Sequence, residues 1–222
     1  MIKCIPLLAA LFATATPAIA ASPREMLTAA AQASDKTAAL AQVTQAITAT
    51  EAQLAANPND REALLQHAVG IGNRAKLNKS PGDAKTARRL FEAYAGNNPR
   101  DPEGQLAIAS WHLDTIASGF MATTVLGAKR DVGLAALNRA VQLGQSHPFF
   151  TGFAAMMRIR LDPSDVVASR QLAEQAAAAA ATTPLDRIAK RDAEQLLIPL
   201  RAGDGRAAAA LARKLLPFGR IN

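Results

Sequence analysis

Three histidines and one cysteine are the chain's whole stock of imidazole and thiol ligands for a transition metal. His67, His112 and His147 are far apart, and none has a second ligand at a pairing distance such as His-Glu-x-x-His, so no metal site is expected. His67 shares a helical stripe with Leu64 and Ile71, as a core or groove-edge histidine would, and His147 falls in a turn. The nearest approach to a hydrolytic set is Ser110-Trp111-His112-Leu113-Asp114. Residues two apart on a helix point to different faces, so these three cannot form a triad among themselves. A Gly-x-Ser-x-Gly elbow is absent. Gly127-Ala128-Lys129-Arg130 also lacks the Gly-x-x-x-x-Gly-Lys-Ser/Thr pattern that cradles phosphates. The chain is therefore expected to carry no catalytic residue and no cofactor.

The elements that could still build a binding site are helices. Half of the residues are apolar but only 4% are aromatic. The apolar content is mostly Ala and Leu, which lose little on entering a helix. No long alternation of Val, Ile and Thr appears, so an all-α fold in one domain is expected. At the N-terminus, Lys3, an apolar run from Ile5 to Ala15, and Ala18-Ile19-Ala20 have the layout of a secretory signal peptide with cleavage after Ala20. The run is shorter than the roughly 20 residues a helix needs to span a bilayer. Cys4 would leave with the leader, so the mature chain would have no thiol and a periplasmic address. Losing Lys3 lowers the formal charge of +7 by one, to +6. That surplus implies a weak attraction to anionic membrane surfaces or acidic partners. Basic and aromatic residues are not interleaved as a base-stacking platform requires, so nucleic acid is not an expected partner.

Ser22-Pro23-Arg24-Glu25 combines a capping residue, a proline at the first helical position and a glutamate placed to cap back, and so starts a helix. Asp35 starts a second, which Asn57-Pro58 ends. These two helices, over residues 21–56, read as an N-terminal cap. Between Asn57-Pro58-Asn59-Asp60 and Asn98-Pro99-Arg100-Asp101 lies one helical hairpin. Its second half opens with a Gly82-Asp83 turn, places Ala87 and Phe91 four apart, continues to Tyr94 and Ala95, and stops at Asn98-Pro99.

That second half resembles the second helix of a tetratricopeptide repeat. The resemblance spans residues 57–222 loosely and Gly82 to Pro99 closely, and it implies an irregular α-solenoid of helical hairpins. Pro58 and Pro99 are 41 positions apart against about 34 in that repeat. The surplus falls at Gly72 to Pro81, where a longer first helix and a longer turn are expected. A second hairpin starts at Asp101 and resumes near Asp131. A third has Phe149, Phe153, Met156 and Met157 in its first helix and Val166 to Ala181 as its second. The last unit starts at Asp186, where Pro199 should kink or shorten the first helix before a Gly203-Asp204 turn. Thr115 to Ala128, uncharged and containing Gly119 and Gly127, interrupts the second hairpin. It reads either as a lengthened helix pair buried in the solenoid or as an apolar wall of a groove.

Tetratricopeptide arrays bind through the inner face of their first helices. Carried over by that resemblance, the groove here would comprise Glu62, Leu65, Val69 and Asn73, then Glu103, Leu106, Ser110 and Asp114. Its charges are acidic, so an apolar or basic segment of another protein or peptide is the expected partner, and an adaptor or scaffold the expected role. The competing expectation is a small-molecule or lipid binding component of a transport system, with a pocket lined by Trp111, Phe120, Met121, Lys129 and Arg130.

Overall fold

The computed structural model describes residues 21–144 and 147–221. The expected signal segment, residues 1–20, and Ser146 lie outside them. The described residues form helices joined by short turns, and the fold is all-α. Five hairpins follow one another: α1 (Pro23–Gln32) with α2 (Lys36–Ala56), α3 (Arg61–Asn78) with α4 (Pro81–Asn97), α5 (Pro102–Ala117) with α7 (Arg130–Leu143), α8 (Pro148–Leu161) with α9 (Val166–Ala178), and α10 (Pro184–Arg201) with α11 (Gly205–Leu215). A short α6 (Phe120–Leu126) interrupts the third. Each first helix packs on its own partner and on the first helix of the next hairpin, so α1, α3, α5, α8 and α10 touch in series.

Side chains write these boundaries into the chain. Ser22 and Glu25 form a reciprocal capping box on α1, and Thr183 and Asp186 form one on α10. Asp35, Asp60, Asp101 and Asp204 each accept a backbone N–H at the start of a helix. Such caps contribute about 1 kcal/mol each by pairing donors that the helix leaves free. Ala87, Phe91, Tyr94 and Ala95 are all buried on α4, as the spacing from Gly82 to Pro99 implies. Phe91 closes over Gly72, where a Cβ would come within 3.2 Å of its ring.

Three local expectations are corrected. Gly82-Asp83 is not a turn, because Ser80 caps α4 and Pro81 supplies its first residue, which leaves Gly82 inside the first helical turn. The surplus before it lengthens α3 to 18 residues, but the connection is only Lys79 and Ser80. Lys79 makes so short a turn possible by adopting a left-handed conformation, φ 51°. Thr115 to Ala128 is not a buried helix pair. Gly119, at φ 111°, ends α5, and the hydroxyls of Ser118, Thr123 and Thr124 each donate to the carbonyl four residues earlier. Of the remaining expectations, α9 stops at Ala178, three residues before Ala181, and α10 continues only two residues past Pro199.

The chain closes on itself. The Phe218 N–H donates to the Ala31 carbonyl at 3.0 Å, and its ring is buried in the cluster that contains Leu27, Ile71 and Leu77. Phe218 holds φ 63°, a left-handed conformation that costs a bulky residue on the order of 1–3 kcal/mol and persists only where its surroundings hold it. The tail thereby ties α11 back to α1, and the inner helices enclose a space between them.

Candidate functional site

That space is a cavity of about 180 Å³, lined from α1, α3, α5, α8, α10 and the C-terminal tail. Its lining has a common register. The second residue of each inner helix is Arg24, Glu62, Glu103, Phe149 or Leu185, and all but Glu62 line the cavity directly. Glu62 is held to the wall by Arg24. A turn further along come Thr28, Gln66, Phe153 and Ala189, and a turn beyond those Ala31, Val69, Met156 and Asp192. Proline stands at the first position of α1, α5, α8 and α10, which fixes where each of these helices begins and hence which side chains face inward.

At the rim, the Arg24 guanidinium spans three helices. It donates to both Glu62 oxygens at 2.7 and 2.8 Å and to both Glu103 oxygens at 3.0 and 2.9 Å. Arg24 is raised above its ordinary range, first by the hydrogen bond to Glu62. Burial pushes the Glu103 carboxyl up, and Arg24 opposes that shift. The two carboxylates take four of the five guanidinium N–H donors and offset its charge.

Deeper in, two polar side chains face the apolar lining. Asp192 is 2% exposed, and among the described residues its carboxylate takes one long hydrogen bond, from Arg191 Nη2 at 3.4 Å. Burial pushes its carboxyl up, against the pull of Arg191. Gln66 is 5% exposed, and the described residues give its amide no hydrogen bond. Buried polar groups are normally paired.

Of the groove residues read from the sequence, Val69, Asn73 and Glu103 line the cavity and Glu62 braces its rim. Leu65 and Leu106 do not line it. Both are core residues, and Gln66 takes the lining position expected of Leu65. Ser110 is half-buried and donates to its own helix at the Leu106 carbonyl. Asp114 sits one level below the cavity, bonded to Lys76 at 2.9 Å and to Arg160. Burial alone would raise Asp114, but Lys76 and Arg160 outweigh it and hold the carboxyl below its usual range. A depressed folded-state pKa adds stability that is fully present above the unfolded value, about 3.9, and is lost as the pH falls through the folded value. Asp114→Asn should therefore lose about 2 kcal/mol at neutral pH and show a flatter stability profile below about pH 5, measured by urea unfolding across pH.

The second expected pocket does not assemble. Trp111 is buried, with its indole N–H donating to the Ala84 carbonyl at 2.8 Å and the Arg88 guanidinium over its ring at 5.1 Å. Phe120 and Met121 are 84% and 79% exposed on α6, and side chains so open cannot share a deep pocket with a buried indole. Lys129 is exposed on the α6–α7 connection and Arg130 at the first position of α7, where Arg130 lines a separate polar recess with Arg158, Asp162 and Asp165. Because Phe120, Met121 and Val125 bury little, replacing all three with serine should change stability by no more than about 0.5 kcal/mol each in thermal unfolding.

The histidines hold segments in place. His112 is buried, and its Nδ1 accepts the Lys129 N–H at 3.1 Å, which puts the proton of the neutral ring on Nε2. Burial, and then Arg88, lowers its pKa. His67 Nδ1 lies 3.2 Å from the Thr50 hydroxyl. His147 Nδ1 lies 3.1 Å from Asp186, which also takes N–H bonds from Phe149 and Thr183 and so ties the starts of α8 and α10 together. Ser110, His112 and Asp114 bond in three different directions. Among the described residues no three metal-ligating side chains cluster, and no helix is long and apolar enough to cross a membrane.

Sequence reasoning missed Arg24, Gln66, the α8 stripe of Phe149, Phe153 and Met156, and Asp192. One signal for Asp192 was present: it lies seven residues from Leu185 and four from Ile188, a lone acid on an apolar stripe. Compared with known proteins, the chain matches no family model, and no curated sequence or solved structure matches it significantly.

Proposed function

We propose that this is an exported binding protein of tetratricopeptide-like architecture, an adaptor that captures an apolar segment of a partner polypeptide on its inner face. The observation that carries the reading is the shared register of the inner helices. Equivalent positions of α1, α3, α8 and α10, joined at the rim by Glu103 of α5, supply one mostly apolar lining, a pattern that supports a repeat array with its concave face used for binding. The signal-peptide layout of residues 1–20 supports a periplasmic site of action. The seat is small. At about 180 Å³ it holds one or two side chains, so the remaining contact with a partner would spread over the rim around Arg24 and Glu62.

The competing reading, a small-molecule binding component, is favoured by one specific observation, the closing of the inner face by the Phe218 tail. A crosslinked pull-down of residues 21–222 from envelope extract separates the two. The adaptor reading expects a defined protein partner that is lost when Val69 and Ile188, both half-buried and lining the cavity, are changed to serine. A partner retained by that double variant would place capture elsewhere, and no partner at all would favour the small ligand.

A further inference from the structure

The cavity wall is apolar, but the charges that meet it do not balance. Glu62 and Glu103 take four of the five N–H donors of Arg24, and Asp192 stands apart from that clamp. Asp192 is left with one long contact from Arg191, whose side chain is 54% exposed and pairs from the solvent side. At the level of this carboxylate the wall presents Met156, and above it Phe153 and Phe149, whose ring faces attract a cation. Gln66 adds an amide without a described partner.

We propose that the cavity selects a primary ammonium carried on a short apolar stem, with Asp192 as its counter-ion and the Phe149–Phe153–Met156 stripe packing the stem. The inference rests on the reading of this cavity as the binding site, and it names what the captured group must carry. Size agrees with it. An apolar cavity of about 150 Å³ accommodates benzene, so about 180 Å³ accommodates a lysine side chain or a single-ring aralkylammonium. An anion would meet the carboxylates of Asp192 and Glu103 on the wall. A purely apolar group would leave the Asp192 carboxylate with only its long contact to Arg191, at a cost comparable to a weakened hydrogen bond.

The test compares charge variants of two probes on residues 21–222, by titration calorimetry with methyl NMR as readout. Phenethylamine, ethylbenzene and 3-phenylpropionate represent a small ligand. Acetyl-Leu-Lys-Leu-amide and its norleucine counterpart represent a polypeptide. The expected result is that one or both ammonium probes bind roughly tenfold or more tightly than their neutral isosteres, with 3-phenylpropionate weakest. Whichever ammonium probe binds more tightly identifies the source of the cation. Asp192→Asn should abolish the preference for the ammonium probes over their uncharged counterparts. The charge series on the unmodified protein keeps the proposal testable if that variant fails to fold. Neutral and cationic probes binding equally would overturn the cation selectivity, and a preference that survives Asp192→Asn would overturn Asp192 as the counter-ion; either result leaves the cavity as a binding site. If no probe binds, both are overturned.

Discussion

Leu106→Ala and Leu65→Ala should each destabilise the protein by about 2–5 kcal/mol, read as an early urea midpoint with an unchanged slope. Leu65 is 2% and Leu106 5% exposed. Leu106 belongs to the larger core cluster with Leu113, Leu137, Phe150 and Met157, contributed by α5, α7 and α8. Truncating either side chain removes three carbons from a close-packed interior and leaves a void that the surrounding helices fill only in part. Gln66→Ala gives the contrasting result. Its amide faces the cavity, so the variant should remain folded while its binding changes. A Leu106→Ala protein as stable as the parent would mean that the inner lining includes Leu106 and that the register assigned to α5 is off by one residue.

Gly205→Ala should cost about 3 kcal/mol or more, through a clash that no rotamer can relieve. A Cβ at position 205 would sit 1.8 Å from the Pro163 carbonyl oxygen and 2.9 Å from its carbon. Both are backbone atoms of the α8–α9 turn, so α11 would have to lift away from α8. Gly205 is the first residue of α11, directly after the Asp204 cap, and the helix that moves carries Leu215 into the cavity lining. The loss should therefore appear both in thermal unfolding and in weaker binding of cavity probes. At Gly82, by contrast, the nearest atom to an added Cβ is the Ser80 hydroxyl at 4.0 Å, and alanine there should be nearly neutral.

Much of the fold was readable because local chemistry specifies it. Capping residues at 22, 35, 60 and 101, and prolines at 23 and 102, mark helix starts through hydrogen bonds and a preset φ that depend on few neighbours. The inner face was harder to read for a geometric reason. With 3.6 residues per turn, positions three and four ahead of Glu62 lie on either side of the line directly above it. Spacing alone does not say whether Leu65 or Gln66 turns inward, and hydrophobicity points to the wrong one. Helix α8 hides its face in another way, since ten of its fourteen residues are buried and no polar side marks the outside. Helix α6 inverts the usual rule, with Phe120, Met121 and Val125 outward and Leu126 packed inward. Arg24 was legible as a first-turn residue, but its clamp on Glu62 and Glu103 joins positions 38 and 79 residues away and depends on how the hairpins stack.

The most direct test of the inner face as the binding site is photo-crosslinking with a diazirine-bearing leucine analogue at position 69, in the cavity, or at position 125, on the outer face of α6. Partner adducts at 69 that disappear when phenethylamine is added in excess are the expected result. Adducts formed at 125 and absent at 69 would contradict it and move the binding surface to α6.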